Sequence, residues 1–160
     1  MTILNDFTTS VIKAFDEIDT NWRDYKGLVI AGTHSFHDTE MMIEKIREAR
    51  ESGLPTLLIC AGHQLGAIEY ARANGILDAT SEEFGKGTFV VKKRKELKVG
   101  LHEGESWWSN YEVVIDWYIP DNFISVPFHP EYQSSKENPH PLLLKFLNNA
   151  KQYTMAVQMV

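Results

Sequence analysis

Two short apolar runs constrain this chain more than any other feature: Leu28-Val29-Ile30-Ala31-Gly32 and Thr56-Leu57-Leu58-Ile59-Cys60. Neither alternates apolar with polar residues. A strand that is apolar throughout is buried on both faces, which is the habit of parallel sheets covered by helices. Each run breaks into small residues, and a helical pattern follows each. Met42, Ile46 and Ala49 recur at helical spacing after Asp38, which is placed to cap a helix running to about Ser52; Gly53 and Pro55 stop it. Ala61-Gly62-His63 turns the chain, and Gln64 to Ala73 reads as a second helix closed by Asn74-Gly75. Ahead of both, Val11, Ile12, Phe15 and Ile18 mark a helix within the first 25 residues. Apolar strands alternating with helices predict an α/β fold with a mostly parallel central sheet.

Past about Glu83 the texture changes. Thr88 to Val91, Leu97 to Leu101 and Tyr111 to Trp117 are short β-like runs with charged turns, and they predict a small antiparallel addition. Phe123 to Val126 reads as a return strand, and Pro141 to Ala150 as a last helix with Pro in its first turn. The apolar tail, Met155 to Val160, reads either as an edge strand or as an association patch, so an oligomer is compatible with the sequence. With 160 residues, the expectation is one domain spanning 1–160.

The net charge is −6, and that sign opposes nucleic acid as the main partner. The one basic run, Lys92-Lys93-Arg94-Lys95, reads as a solvated turn between strands. No apolar run is long enough to span a bilayer, and no secretory leader is visible, so no membrane partner is expected. The single cysteine, Cys60, excludes an internal disulfide and leaves a reducing, cytoplasmic location as the default.

That cysteine sits where an apolar strand turns into a helix. Such a junction lifts one side chain above the carboxyl edge of the sheet, where open α/β sheets bind ligands, and the helix N-terminus favours a thiolate. On position alone Cys60 is either a nucleophile or an inert packed cysteine. A nucleophile needs a base, and the base needs an orienter. Val126-Pro127-Phe128-His129-Pro130-Glu131 supplies both, since residues two apart in extended chain point to the same side.

Taken together these segments show a resemblance. Gly53-Leu54-Pro55-Thr56-Leu57-Leu58-Ile59-Cys60-Ala61-Gly62-His63-Gln64-Leu65 resembles the nucleophile strand and turn of class I glutamine amidotransferases, and within them looks most like the glutaminase domain of CTP synthase. Asp78 to Phe84, Phe128-His129-Pro130-Glu131-Tyr132 and Asn138-Pro139-His140-Pro141-Leu142 continue the likeness, which covers roughly residues 26 to 150. The resemblance implies a three-layer, flavodoxin-like fold and a Cys60–His129–Glu131 triad that cleaves the side-chain amide of glutamine, or of a γ-glutamyl-like compound, through a thioester. It implies Gly32 and Ala61 at the oxyanion hole and Gln64 and Glu83 on the substrate. It needs no cofactor and no metal. It also implies an ammonia-accepting protein partner, because no phosphate loop and no synthetase domain accompany the motifs.

The chain also departs from the pattern. Leu58 stands where the family carries Gly two residues before the nucleophile, and it is expected to tilt the strand or narrow the site. Thr33 replaces a loop Gly after Gly32, and it is expected to misform the oxyanion hole by resisting a positive φ. Asn110 stands where the family holds substrate with an Arg, and Trp107-Trp108 precede it. His34 and His63 are expected near Cys60. Thr33, His34, His63 and Asn110 therefore join the candidate substrate-binding residues. These departures keep two alternatives in view: a retired scaffold that binds or regulates, and the same thiol chemistry on a substrate other than glutamine.

Overall fold

The structure is a computed structural model and describes residues 1–95 and 109–159. In chain order it runs β1 (Thr2–Leu4), α1 (Thr8–Ile18), β2 (Leu28–Ile30), α2 (Thr39–Ser52), β3 (Thr56–Ile59), α3 (Ala61–Ala73), β4 (Ala79–Ser81), β5 (Thr88–Lys93), β6 (Tyr111–Val113), β7 (Phe123–Val126) and α4 (Pro141–Gln158). Short 3₁₀ turns cover Trp22–Asp24 and Pro130–Gln133. The main sheet has the order β1-β2-β3-β7 and is parallel throughout. β1, at one edge of this sheet, is three residues long.

Why the strands read as continuous apolar runs is now visible. Leu28, Ile30, Leu58 and Phe123 point into a core with α2 and α3, through Met42, Ile46, Leu65 and Ile68. Their alternating neighbours Val29, Ala31, Leu57 and Ile59 point the other way, into a core with α1 and α4, through Val11, Phe15, Leu143 and Phe146. Two hydrophobic cores on opposite faces make the three layers, and burial of side chains such as these, at about 1.5–3 kcal/mol each, drives the fold.

Several sequence-based boundaries are corrected. Asp38 precedes α2 but its side chain caps nothing; it sits at φ 56°, ψ 34°, and the first turn is held through the backbone, Met42 N–H to the Asp38 carbonyl at 3.1 Å. Asp tolerates this left-handed geometry. Helix α3 starts at Ala61, directly after Cys60, not at Gln64. The smaller sheet, order β4-β5-β6, is mixed, since β4 runs parallel to β5 and only β6 is antiparallel. Helix α4 continues to Gln158, so the apolar tail is helical up to that point and not an edge strand. Met155, Val157 and Met159 there are exposed. The predicted run Leu97 to Leu101, the pair Trp107-Trp108 and Val160 lie outside the described residues. Among the described residues no helix is long and apolar enough to cross a membrane.

Candidate active site

Cys60 is held in a sharp elbow between β3 and α3, at φ 53° and ψ −101°. A non-glycine residue there stores roughly 1–3 kcal/mol of strain and persists only where its surroundings over-determine it. Two contacts do so. The Cys60 N–H donates to the Val126 carbonyl at 2.9 Å, tying the elbow to the end of β7. Gly62, in the first turn of α3, lies so close to the Ile30 carbonyl that a Cβ would collide with strand backbone. The thiol is half-buried at the carboxyl edge of the sheet, where the first N–H groups of α3 lack intrahelical acceptors.

His129 reaches this edge from the segment after β7. Its Nδ1 lies 2.5 Å from Glu131 Oε1, and its side chain also hydrogen-bonds Cys60. Burial opposes a charge on the imidazole, but the bonds to Cys60 and Glu131 outweigh it and push the pKa up to about 9. The Glu131 side chain is 1% exposed. Its Oε2 has no hydrogen-bond partner among the described residues, so the carboxylate is committed to the ring. Tyr132 stacks on the imidazole at 4.9 Å.

The loop around Gly32 closes the other side. Gly32 is required by contact and not by its φ: a Cβ there would stand 2.6 Å from His129 Cε1 and 3.0 Å from Phe7. Thr33 is not among the residues with positive φ, so the expected misforming by Thr does not arise. Its buried hydroxyl donates to Asp6 Oδ2 at 2.5 Å and accepts the Ser35 N–H at 2.9 Å, a Ser/Thr turn that stiffens the loop. The N-terminal segment adds two clamps: Asn5 Nδ2 donates to the Ala31 carbonyl at 2.9 Å, and the Phe7 N–H to the Gly32 carbonyl at 3.2 Å. Thr33→Val is expected to lower stability by about 1–2 kcal/mol in urea unfolding, and Thr33→Ser, which keeps the hydroxyl, to restore it.

Leu58 neither tilts β3 nor enters the site. The strand keeps register with Ile30 and Ser125, and the Leu58 side chain is fully buried over Gly66, whose missing side chain makes room for it. Gln64 and Glu83 are brought together. Gln64 Nε2 donates to Glu83 Oε2 at 2.9 Å while its Oε1 accepts from Ser81 Oγ at 3.0 Å. Burial raises the Glu83 carboxyl pKa against the opposing pulls of Gln64 and nearby His34. His34 is exposed and packs edge-on against Phe7 at 5.1 Å.

His63 turns away from the loop. Its Nδ1 lies 2.6 Å from Ser125 Oγ, and its ring meets Trp117 edge-on at 5.4 Å. Burial, with the charge of Arg94, lowers its pKa to about 4. The ring is therefore neutral when folded and protonated when unfolded at intermediate pH. Stability is expected to fall as pH drops from about 6.5 toward 4, by on the order of 3 kcal/mol, and His63→Gln to flatten that limb in pH-dependent melting. Asn110 is exposed, and its carbonyl accepts the Arg94 N–H at 2.7 Å. The basic run is corrected here: Lys92, Lys93 and Lys95 are exposed, but Arg94 folds inward, with 12% of its side chain exposed. Asp6, Ser125 and Arg94 lie in none of the segments that carry the resemblance; each hydrogen-bonds a partner distant in sequence. No group of three or more possible metal ligands occurs among the described residues.

A strained thiol at a strand–helix elbow thus meets a buried His–Glu pair. The family model described as glutamine amidotransferase class-I matches residues 4–118, and the chain belongs to that family. Among curated relatives, CTP synthase of Methanoregula boonei is 49% identical over 70 residues, covering 43% of this chain and 13% of its own. CTP synthase of Pelagibacter ubique is 26% identical over 201 residues, covering 86% of this chain and 37% of its own. The chain thus spans well under half the length of these relatives. Among solved structures, the glutaminase domain of Trypanosoma brucei CTPS with bound acivicin shares the fold, with a TM-score of 0.69 and 17% identity over 94% of this chain and 92% of that one.

Proposed function

We propose that this domain hydrolyses the side-chain amide of glutamine, or of a γ-glutamyl-like compound, with Cys60 as nucleophile, His129 as proton carrier and Glu131 as the group that orients it. The observation that carries this reading is the imidazole shared between Cys60 and Glu131 at the head of α3. Cys60 Sγ attacks the amide carbonyl carbon while His129, whose pKa of about 9 keeps it protonated, carries the proton of the pair. Charge developing on the carbonyl oxygen is met by backbone N–H groups of the Gly32 loop and of Ala61 at the α3 N-terminus. The tetrahedral adduct collapses as His129 returns the proton to the departing nitrogen, so ammonia leaves and a thioester remains. Water, deprotonated by His129, then attacks the thioester and releases the acid and the thiol. The Gln64–Glu83 pair lines the substrate side, where a half-buried carboxylate suits an amino-acid ammonium. In this reading the ammonia is handed on to an acceptor.

Leu58 seats over Gly66 and Thr33 adopts an unstrained turn, so two of the three departures leave the machinery assembled. That favours an active enzyme over a retired scaffold. The test is labelling with a glutamine-mimicking electrophile, read by mass spectrometry of the intact, reduced protein. One adduct on the Cys60 peptide, protected by glutamine, is the expected result. An unlabelled thiol together with ammonia release no greater than that of Cys60→Ala would overturn it.

A further inference from the structure

An amino-acid amide has two charged groups beyond the bond that is cut. In the amidase reading, Glu83 takes the ammonium. The structure also holds a cation placed for the carboxylate, and it lies on neither the elbow nor the His129 segment. We infer that Arg94 holds the α-carboxylate of the substrate; the inference rests on the amidase reading above.

The placement follows from register. β5 and β6 pair Val91 with Val113, Lys92 with Glu112 and Lys93 with Tyr111. One step further, the Arg94 N–H donates to the Asn110 carbonyl at 2.7 Å, so Arg94 and Asn110 stand directly opposite each other. Residues directly opposite in an antiparallel pair share a face. Where the hairpin presents the neutral Asn110 on one strand, it presents a guanidinium on the other.

Three anchors bring that guanidinium toward the site. Its Nε donates to the Ser109 carbonyl at 2.8 Å, and the Ser109 N–H donates to the Pro127 carbonyl at 3.1 Å, two residues before His129. Its charge is felt at His63, three residues after Cys60. The Glu82 N–H donates to the Val91 carbonyl at 3.0 Å, and the Lys93 N–H to Glu82 Oε2 at 2.8 Å, so the end of β5 lies beside the Glu82-Glu83 turn. Arg94 therefore stands between the Glu83 side and the His63 side of the rim. Glu112, a carboxylate that pairs with it at 3.1 Å, is 43% exposed in its side chain, so a substrate carboxylate can displace it while Glu112 turns to water. His63, kept neutral and bonded to Ser125, does not compete for the anion.

The test compares the full chain with Arg94→Gln, using glutamine and its carboxylate-free analogue 4-aminobutyramide. The expected result is a KM for glutamine raised about 10- to 100-fold with kcat within about threefold, and the preference for glutamine over the analogue reduced by the same factor. Adding Asn110→Arg to Arg94→Gln moves the cation across the hairpin and is expected to recover much of the loss, a rescue that a merely structural role would not produce. If the wild type is active and Arg94→Gln keeps its KM and its preference, the carboxylate site is overturned and the amidase reading stands. If the wild type releases no ammonia but calorimetry shows glutamine binding that Arg94→Gln weakens, the amidase reading fails and the site stands. If the wild type neither hydrolyses nor binds glutamine, both are overturned.

Discussion

Glu131→Gln is expected to cut ammonia release at saturating glutamine by roughly 10³–10⁴-fold while leaving KM within a few-fold. The amide is nearly the shape of the carboxylate, so packing is retained. Its charge is lost. In the proposed reaction the His129 imidazolium beside Cys60 then faces a neutral amide inside a closed site, and the amide NH₂ can also present itself to Nδ1 and select the wrong tautomer. The same variant carries a stability signature whose sign is fixed. The folded pKa of His129, at about 9, lies above its unfolded value near 6.5. The unfolded chain therefore binds fewer protons than the folded one between those values. The stabilising contribution is complete below about pH 6.5 and is lost as pH rises through about 9. Wild-type melting is expected to decline across that window, and Glu131→Gln to show a shallower decline from a lower start. Full turnover in Glu131→Gln, with a parallel melting profile, would remove Glu131 from the mechanism.

How far such a site can be read from sequence depends on whether its parts leave a periodic or ordered trace. β2, β3 and α2 were legible because burial on two faces forces continuous apolar strands and a helical stripe. β4 was not. Its three residues, Ala79-Thr80-Ser81, are fully or nearly buried yet mostly polar, since Ser81 binds Gln64 and the Ala79 carbonyl takes the Arg72 guanidinium. No hydrophobic pattern marks a strand whose burial is satisfied by hydrogen bonds. The start of α3 was hidden for a related reason: its N-cap is Cys60, whose side chain makes no capping bond. A helix that opens on a functional residue gives up the Ser, Thr, Asp or Asn signal that usually announces it.

The site divides in the same way. Cys60, His129 and Glu131 lie in short, ordered segments that carry the resemblance, so they stand out in the sequence itself. The residues that hold those segments in place do not. Thr33 and Asp6 meet across 27 positions, and Ser81 and Gln64 across 17, and neither pair has a spacing that any local rule would select. Judged against the family pattern alone, Thr33 and Leu58 read as defects. Each is accommodated by a partner that the comparison of single positions omits: Asp6 for the hydroxyl, Gly66 for the isobutyl group. Arg94 was masked differently, inside a run of like charges whose other members are solvated.

Gly32→Ala is the second large effect, and it separates crowding from backbone freedom. Gly32 does not have a positive φ, so alanine costs little through conformation there. The cost lies in the methyl group, which would sit 2.6 Å from His129 Cε1 and 3.0 Å from Phe7 Cδ2. Something must shift. Phe7 is held by its own N–H to the Gly32 carbonyl at 3.2 Å, and by edge contacts with His34 and His129. The imidazole is held by Glu131 at 2.5 Å and by Tyr132 stacked on it. Either the loop withdraws, taking its N–H groups away from the developing oxyanion, or the ring rotates off Cys60. Both routes strike the transition state more than the bound substrate. The expected result is kcat lower by about 10²–10³-fold, the size of a lost oxyanion donor. KM should change little, and the urea midpoint should shift by no more than an overpacked site gives, about 1–3 kcal/mol. Labelling of Cys60 by the glutamine-mimicking electrophile should slow in step with kcat. An alanine variant with wild-type turnover would show that the loop and ring have slack the contacts deny, and the oxyanion would have to be stabilised from the α3 side alone.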